Sequence, residues 1–160
     1  MLNNVQKDLI LRYTEDSYEW VNEDLRRKKG VLANTFTFSQ DLEKTIKELP
    51  NYDDTTHRGV NLTMLEMKKY EDAYNTDSKI IEHTFISTSQ SQRIAKGFMK
   101  PKKDKVQVLF EIAGKTGKLI AEYSKSPTEK EVLFAPNTIF WVREIVYPKN
   151  GAIIIRLREV

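Results

Sequence analysis

The chain has 160 residues, of which 39% are hydrophobic and 31% charged, and its formal net charge is +3. This size and composition are typical of one soluble globular domain. The absence of cysteine excludes disulfides and thiolate chemistry, and with two histidines we expect no metal site. No apolar run is long enough to span a bilayer, so no membrane partner is expected.

The charge is only mildly basic, which makes a nucleic-acid partner unexpected. The densest basic run covers residues 100–105. Such a run is typical of a solvated turn before a strand. The alternative is a basic rim beside an anionic ligand or partner.

The first part of the sequence shows helical patterns. Apolar residues at near-helical spacing predict a helical region over residues 5–27, which Gly30 ends. Ser39 is predicted to cap a second helix that runs to Leu49.

Two capping boxes predict further helix starts. Residues 63–66 form the first box, and the helix that follows is expected to reach about Tyr74. Residues 89–92 form the second, with Ser89 as the cap of a short helix toward Phe98.

The second half shows strand patterns, with apolar alternation at several places. The predicted strands are residues 79–86, 106–112, 131–134, 139–147 and 152–159. Residues 147–151 are predicted to form a hairpin turn between the last two. Helices first and strands later indicate an α+β domain over residues 1–160, helical to about residue 75 and strand-rich from about residue 79.

One long polar segment, residues 114–129, fits neither a helix nor a strand. Loops of this length are uncommon in compact domains and are often functional. This segment leads directly into two glutamates.

Three short motifs follow one another in the sequence. They are Arg58-Gly59 within residues 56–60, Ser87-Thr88-Ser89 after an aromatic–isoleucine pair, and Glu129-Lys130-Glu131 before an apolar strand. Each alone is common. Together they resemble the arginine, Ser-Thr-Ser and Glu-x-Glu signature of arginine-specific mono-ADP-ribosyltransferases, which include bacterial toxins.

The resemblance implies a fold in which N-terminal helices pack on a core of two small, mainly antiparallel sheets flanking an NAD cleft. It implies an enzyme, of the glycosyltransferase class, that transfers ADP-ribose from NAD to an arginine of a target protein and releases nicotinamide. A toxin or effector of this kind is expected to act in the cytoplasm of a target cell. Because residues 1–4 lack the pattern of a signal peptide, we expect secretion or delivery by a non-classical route. A cognate immunity protein or chaperone is a further expected partner by analogy.

The resemblance also assigns catalytic roles. Glu131 stabilises the oxocarbenium-like transition state and bonds the ribose 2′-hydroxyl, and Ser87 holds the Glu131 carboxylate. Glu129 positions the acceptor arginine. If residues 129–131 are extended, the two glutamates face the same way, about 6–7 Å apart.

The remaining candidates concern binding. The resemblance implies that Arg58 binds the NAD pyrophosphate and that Gly59 offers backbone groups to the nicotinamide amide. Phe98 packs either near the nicotinamide or in the core, and Tyr123 either contacts the target protein or packs internally. Many relatives have an aromatic residue where this chain has His57, whose side chain can titrate near neutral pH.

Two other functions stay open. The first is an NAD glycohydrolase, or a transferase that acts on a non-protein acceptor such as RNA. The second is an inactive binding module. The latter is disfavoured because the positions of Arg58, Ser87, Glu129 and Glu131 all match the signature.

Overall fold

Five α-helices and nine strands make up the chain in the computed structural model, which describes residues 1–160. The helices are α1 Asn4–Arg12, α2 Tyr18–Arg27, α3 Thr37–Lys47, α4 Met64–Asn75 and α5 Gln92–Gly97. The strands are β1 Asn51–Tyr52, β2 Thr55–Leu62, β3 Lys79–Glu82, β4 Ile86–Ser89, β5 Val106–Ala113, β6 Gly117–Leu119, β7 Glu131–Phe134, β8 Thr138–Val146 and β9 Ile153–Glu159. The predicted α+β class is confirmed. No helix has both the length and the apolar character needed to cross a membrane.

The chain forms two compact units, and each unit is assembled from three separate segments. The first unit consists of Met1–Tyr52, Glu82–Ser87 and Thr116–Thr138. The second consists of Asp53–Ile81, Thr88–Lys115 and Ile139–Val160. The units are therefore interleaved along the sequence.

The helical region predicted over residues 5–27 is present, with one local change. Residues Tyr13–Ser17 form a π-helical turn between α1 and α2, in which Tyr18 N–H bonds to Tyr13 O. The wider turn brings Tyr13, Ser17 and Val21, each four residues apart, to buried positions. Helix α2 ends at Arg27, and the chain turns away through Lys29 and Gly30, whose φ angles are 50° and 75°. This agrees with the prediction that Gly30 ends the helical region.

The predicted cap of α3 is wrong. Ser39 is the third residue of the helix and fully buried, and its hydroxyl has no hydrogen-bond partner. The helix begins after Phe36, whose backbone N–H donates to the buried carboxylate of Asp24 at 3.2 Å. A side chain of α2, and not a serine of α3, thus holds the N-cap residue Phe36 in place.

The core of the first unit lies between its helices and strands. The buried members of this core are Leu2, Ile10, Tyr13, Val21, Leu25, Leu42, Ile46, Phe85, Ile120 and Leu133. Strand β6 pairs antiparallel with both β1 and β7. Burial of these side chains is the main stabilising contribution, at about 1.5–3 kcal/mol for each large one.

The second unit contains a mixed sheet. Strands β2 and β5 pair antiparallel over eight residue pairs, from Thr55–Ala113 to Leu62–Val106. Strand β9 runs parallel to β5 and antiparallel to β8. The predicted hairpin between β8 and β9 is confirmed by that antiparallel pairing.

Two predictions about local structure in the second half of the chain are wrong. The single strand expected over residues 79–86 is broken, because Glu82 O accepts a hydrogen bond from Asn137 N–H and Phe85 N–H donates to the Asn22 side chain. Residues 114–129 are also not an irregular loop. They contain β6 and the 3-10 turns Ala121–Tyr123 and Pro127–Glu129.

Candidate functional site

Glu131 and Ser87 are in hydrogen-bond contact within the first unit. Ser87 Oγ donates to Glu131 Oε2 at 2.7 Å, and both side chains are half-buried. This contact joins two residues 44 positions apart in the sequence. It fixes the direction of one carboxylate oxygen, which is the arrangement that the resemblance implies for these residues.

The backbone at Glu131 is anchored on both sides. Glu131 O accepts a hydrogen bond from Ile120 N–H at 3.0 Å. The next three residues, Val132, Leu133 and Phe134, are completely buried. The strand cannot shift without exposing these side chains, so the backbone that carries the Glu131 carboxylate is held rigidly.

The position of Ser87 depends on the helices of the first unit. Two residues earlier, Phe85 N–H donates to Asn22 Oδ1 at 3.0 Å, and Asn22 Nδ2 donates to the Tyr13 hydroxyl at 3.0 Å. The rings of Tyr13 and Phe85 pack with centroids 5.3 Å apart. The role of Asn22 could not be predicted from the sequence, since a polar residue in an amphipathic helix gives no signal of a distant partner.

Glu129 does not have the predicted geometry. It ends the 3-10 turn Pro127–Glu129, and Lys130 follows with φ 51° and ψ 49°, in the left-handed region. Strand alternation therefore does not apply to residues 129–131, and the extended backbone on which the expected orientation and spacing of the two glutamates depended is absent. Glu129 is half-buried, and it belongs to the same unit as Glu131.

Tyr123 lies against the core of the first unit. It is half-buried and packs on the buried cluster around Ile120. Burial raises the pKa of its hydroxyl, and the nearby Glu122 carboxylate raises it further. The surrounding segment is tied down as well, because Lys125 N–H donates to Thr14 Oγ1 at 2.9 Å. This placement agrees with the packing alternative, and contact with a target protein stays a prediction.

Arg58 and Gly59 lie in the middle of β2, in the second unit. Arg58 pairs with Phe110 and Gly59 with Leu109 on the neighbouring strand β5. The Arg58 side chain is half-buried. All eight residues of β2 pair with β5, so the backbone that carries the Arg58 guanidinium is rigid.

Gly59 allows a close backbone approach, but the approaching group belongs to the protein itself. A Cβ at this position would lie 1.9 Å from the carbonyl oxygen of Ala95 in α5. The same Cβ would meet Met99 Cγ at 2.9 Å. Helix α5 therefore packs directly on β2, and the glycine is required by that packing.

Phe98 is the C-cap residue of α5, and its side chain is 54% exposed. The core alternative for Phe98 is therefore wrong. An exposed aromatic ring at a helix end remains available to a planar ligand such as nicotinamide.

The cap of α5 also differs from the prediction. Ser91 is the N-cap, and its Oγ accepts from Ile94 N–H at 3.3 Å. Ser89 lies buried in β4, where its Oγ accepts from Ser91 N–H at 3.0 Å. Thr88 is buried next to it, so both residues have structural positions.

His57 stands before Arg58 on the opposite face of β2. Burial lowers the pKa of its imidazole, the Glu111 carboxylate opposes this effect, and the Lys96 ammonium adds to it. Its Nδ1 is buried without a hydrogen-bond partner. The ring is therefore neutral at pH 7, and the expectation of titration near neutral pH is replaced by titration at lower pH.

Comparison with known proteins identifies the family. A profile described as ADP-ribosyltransferase exoenzyme matches residues 1–157. The chain is similar to Vis of Vibrio splendidus (strain 12B01), with 29% identity over 93% of this chain and 62% of Vis. It is similar to Mav of Mycobacterium avium (strain 104), with 30% identity over 94% of this chain and 17% of Mav. Both relatives are named as NAD(+)–arginine ADP-ribosyltransferases, and the chain spans less than two thirds of either.

Solved structures agree with this result. The crystal structure of Vis in complex with agmatine has a TM-score of 0.76 at 25% identity, covering 100% of this chain and 76% of that one. HopU1 of Pseudomonas syringae pv. Tomato DC3000 has a TM-score of 0.80 at 16% identity, covering 97% and 76%, and shows the fold alone. Since the family profile covers nearly every residue, the chain belongs to the ADP-ribosyltransferase exoenzymes.

Proposed function

We propose that this chain transfers ADP-ribose from NAD to the guanidinium group of an arginine on a target protein, with release of nicotinamide. The observation that carries the proposal is the 2.7 Å hydrogen bond from Ser87 to Glu131. It holds a carboxylate at the start of a buried strand in a chain of this family.

Cleavage of a glycosidic bond to ribose develops positive charge on the sugar, as in glycoside hydrolysis. A carboxylate that is already oriented stabilises that charge without reorganisation, and this lowers the barrier. Glu131 has this role in the proposal, and Ser87 is a positioning residue.

The chain also offers groups suited to the other parts of NAD. The guanidinium of Arg58 matches phosphate oxygens, because it is planar and permanently charged. The exposed ring of Phe98 suits stacking on nicotinamide, and the backbone of Gly59 suits its amide. These assignments, together with Tyr123 as a contact for the target, are part of the proposal.

Two observations support arginine as the acceptor of ADP-ribose. Agmatine, which is bound in the Vis structure, keeps the guanidinium of arginine but lacks its carboxyl group. Glu129 supplies a second carboxylate in the same unit as Glu131, able to position a guanidinium and to accept its proton as the nitrogen bonds to the ribose. We further propose that the protein acts as a secreted toxin or effector and that an immunity protein or chaperone is its partner.

The test compares Glu131→Gln, Glu129→Gln and Glu122→Gln with the unaltered chain, using labelled NAD with agmatine or a cell lysate. Glu131→Gln is expected to lose both transfer and NAD hydrolysis by at least a hundredfold. Glu129→Gln is expected to lose transfer and keep hydrolysis. Glu122 is exposed in the same segment, so its variant is the matched control.

The product identifies the acceptor. Label on protein that hydroxylamine removes supports arginine. Label on RNA, or hydrolysis without any transfer, would replace the proposal with one of the alternatives. Normal transfer by Glu131→Gln would refute the assignment of the catalytic carboxylate.

A further inference from the structure

The net charge of the chain is concentrated in one turn. Residues 100–105, here called the lysine turn, contain four lysines and Asp104, which gives this segment a charge of +3. The whole chain has 26 basic and 23 acidic residues, so 22 of each remain outside the turn and balance one another. All six residues of the turn are exposed.

Two exposed apolar side chains lie at the same edge of the sheet. Met64 is 67% exposed and Leu65 79% exposed, at the start of α4. Strand β2 reaches this edge at Leu62, which pairs with Val106, the first residue after the lysine turn. The Asn61 side chain also donates to Lys100 O at 2.7 Å, so the turn and the start of α4 are held side by side.

The hairpin between β8 and β9 extends the basic area. A pocket of about 290 Å³ is lined by Pro101, Lys102, Lys105, Val106, Gln107, Gly151 and Ile153. Lys149 is exposed in the same hairpin. The lysine turn thus rests against a hairpin that adds the cation of Lys149, while the Glu71 carboxylate accepts a hydrogen bond from the hydroxyl of Tyr147, the first residue of that hairpin.

Nearby acids lower the positive charge of this area without cancelling it, because Glu66, Glu71 and Asp104 stand against five lysines, the four of the turn and Lys149. The carboxylate of Glu66 accepts the backbone N–H of Thr63 at 2.8 Å in the capping box. The carboxylate of Asp72 is paired with Lys68 at 2.6 Å. Asp104, inside the turn, is the one acid among four lysines.

We propose that this basic–apolar surface, formed by the lysine turn, Met64, Leu65 and Lys149, binds the anionic face of a lipid bilayer. Lysines near such a surface each contribute attraction to acidic headgroups, and aliphatic side chains enter the interface. The expectation of no membrane partner concerned spanning segments, and peripheral binding needs none.

The composition of the surface favours lipid over other anionic partners. Single-stranded nucleic acid is bound by aromatic stacking and arginine. The surface contains no arginine, and the exposed ring beside Lys149, Tyr147, carries the Glu71 carboxylate on its hydroxyl, which repels phosphate. Protein interfaces are enriched in aromatic residues and arginine and depleted in lysine. Lysine beside exposed methionine and leucine is typical of a membrane-surface contact.

The test is sedimentation of the full chain with vesicles of phosphatidylcholine alone or with about 30% phosphatidylserine. We expect binding to the acidic vesicles only, weakened by salt. The variant Lys102→Glu with Lys105→Glu is expected to bind at least tenfold less. Met64→Ser with Leu65→Ser is expected to bind several-fold less and to lose the binding that remains at high salt.

The control is Lys7→Glu with Lys28→Glu, two exposed lysines of the first unit, which changes the net charge equally. It is expected to bind like the unaltered chain. Equal loss in this control, equal binding to neutral vesicles, or no binding at all would overturn the proposal. Tighter binding to RNA, unaffected by the Met64 and Leu65 changes, would do the same. Transfer to agmatine in solution is expected to be unchanged in every variant, which separates this proposal from the catalytic one.

Discussion

Ala95 and Gly59 are so close that a methyl group added to the glycine would lie 1.9 Å from the alanine carbonyl oxygen. The contact joins the backbone of α5 directly to strand β2. Since α5 ends at the exposed ring of Phe98, the contact also sets where that ring lies.

Gly59→Ala is therefore expected to displace α5 and to destabilise the fold by about 1–3 kcal/mol. It should raise the Kd for NAD as well, because Phe98 and the backbone of residue 59 move together. Gly97→Ala is the control, since a Cβ at that position meets nothing within 4 Å. Urea unfolding and NAD titration measure both effects, and equal stability of the two variants would contradict the prediction.

Ser87→Ala removes the hydrogen bond that orients Glu131 but leaves the carboxylate in place. We expect kcat to fall roughly ten- to hundredfold, with the KM for NAD and the melting temperature nearly unchanged. Ser87→Thr keeps a hydroxyl and should recover part of the activity. Steady-state kinetics test this, with Ser78→Ala, an exposed serine, as the control. A rise in KM for NAD without loss of kcat would show that Ser87 binds NAD rather than positions the Glu131 carboxylate.

Asn22→Ala leaves the backbone N–H of Phe85 without its partner. The expected destabilisation is about 1–2 kcal/mol, because the lost bond is partly buried. Since Phe85 lies two residues before Ser87, kcat should fall together with stability. Glu23→Ala, at the exposed neighbouring position, is expected to change neither. Unfolding curves identical to those of the unaltered chain would exclude this anchoring role.

His57 gives a prediction about pH. Its folded pKa lies below the unfolded value of about 6.5, so the unfolded chain binds more protons at acid pH. The stability that depends on neutral His57 is therefore fully present above pH 6.5, and it is lost as the pH decreases toward the folded pKa. His57→Phe removes a buried nitrogen that has no partner, and it should lose less stability between pH 7 and pH 5. Parallel unfolding curves for the two proteins across this range would contradict the assignment.

Sequence predicted the features that depend on neighbouring residues. The capping box of α4 is local, and it is present with Thr63 and Glu66 in their expected roles. The family was also predicted, because each of the three motifs consists of adjacent residues, and the profile match over residues 1–157 confirms it. In both cases the signal lies within a few positions of the feature.

Predictions failed where distant parts of the chain decide the structure. The start of α3 depends on Asp24, twelve residues away from Phe36. The parallel pairing of β5 with β9 joins strands far apart in sequence, and alternation along each strand does not show it. The relation of Glu129 to Glu131 depends on the left-handed conformation of Lys130, which a lysine rarely adopts and no pattern indicated.

The interleaving of the two units limits how the protein can be divided. Glu131 and Ser87 come from different segments of one unit, and a segment of the other unit lies between them in the sequence. No single cut yields a fragment that contains one complete unit and nothing else. A shortened gene or a single proteolytic nick is therefore expected to yield pieces that fold only after they reassemble.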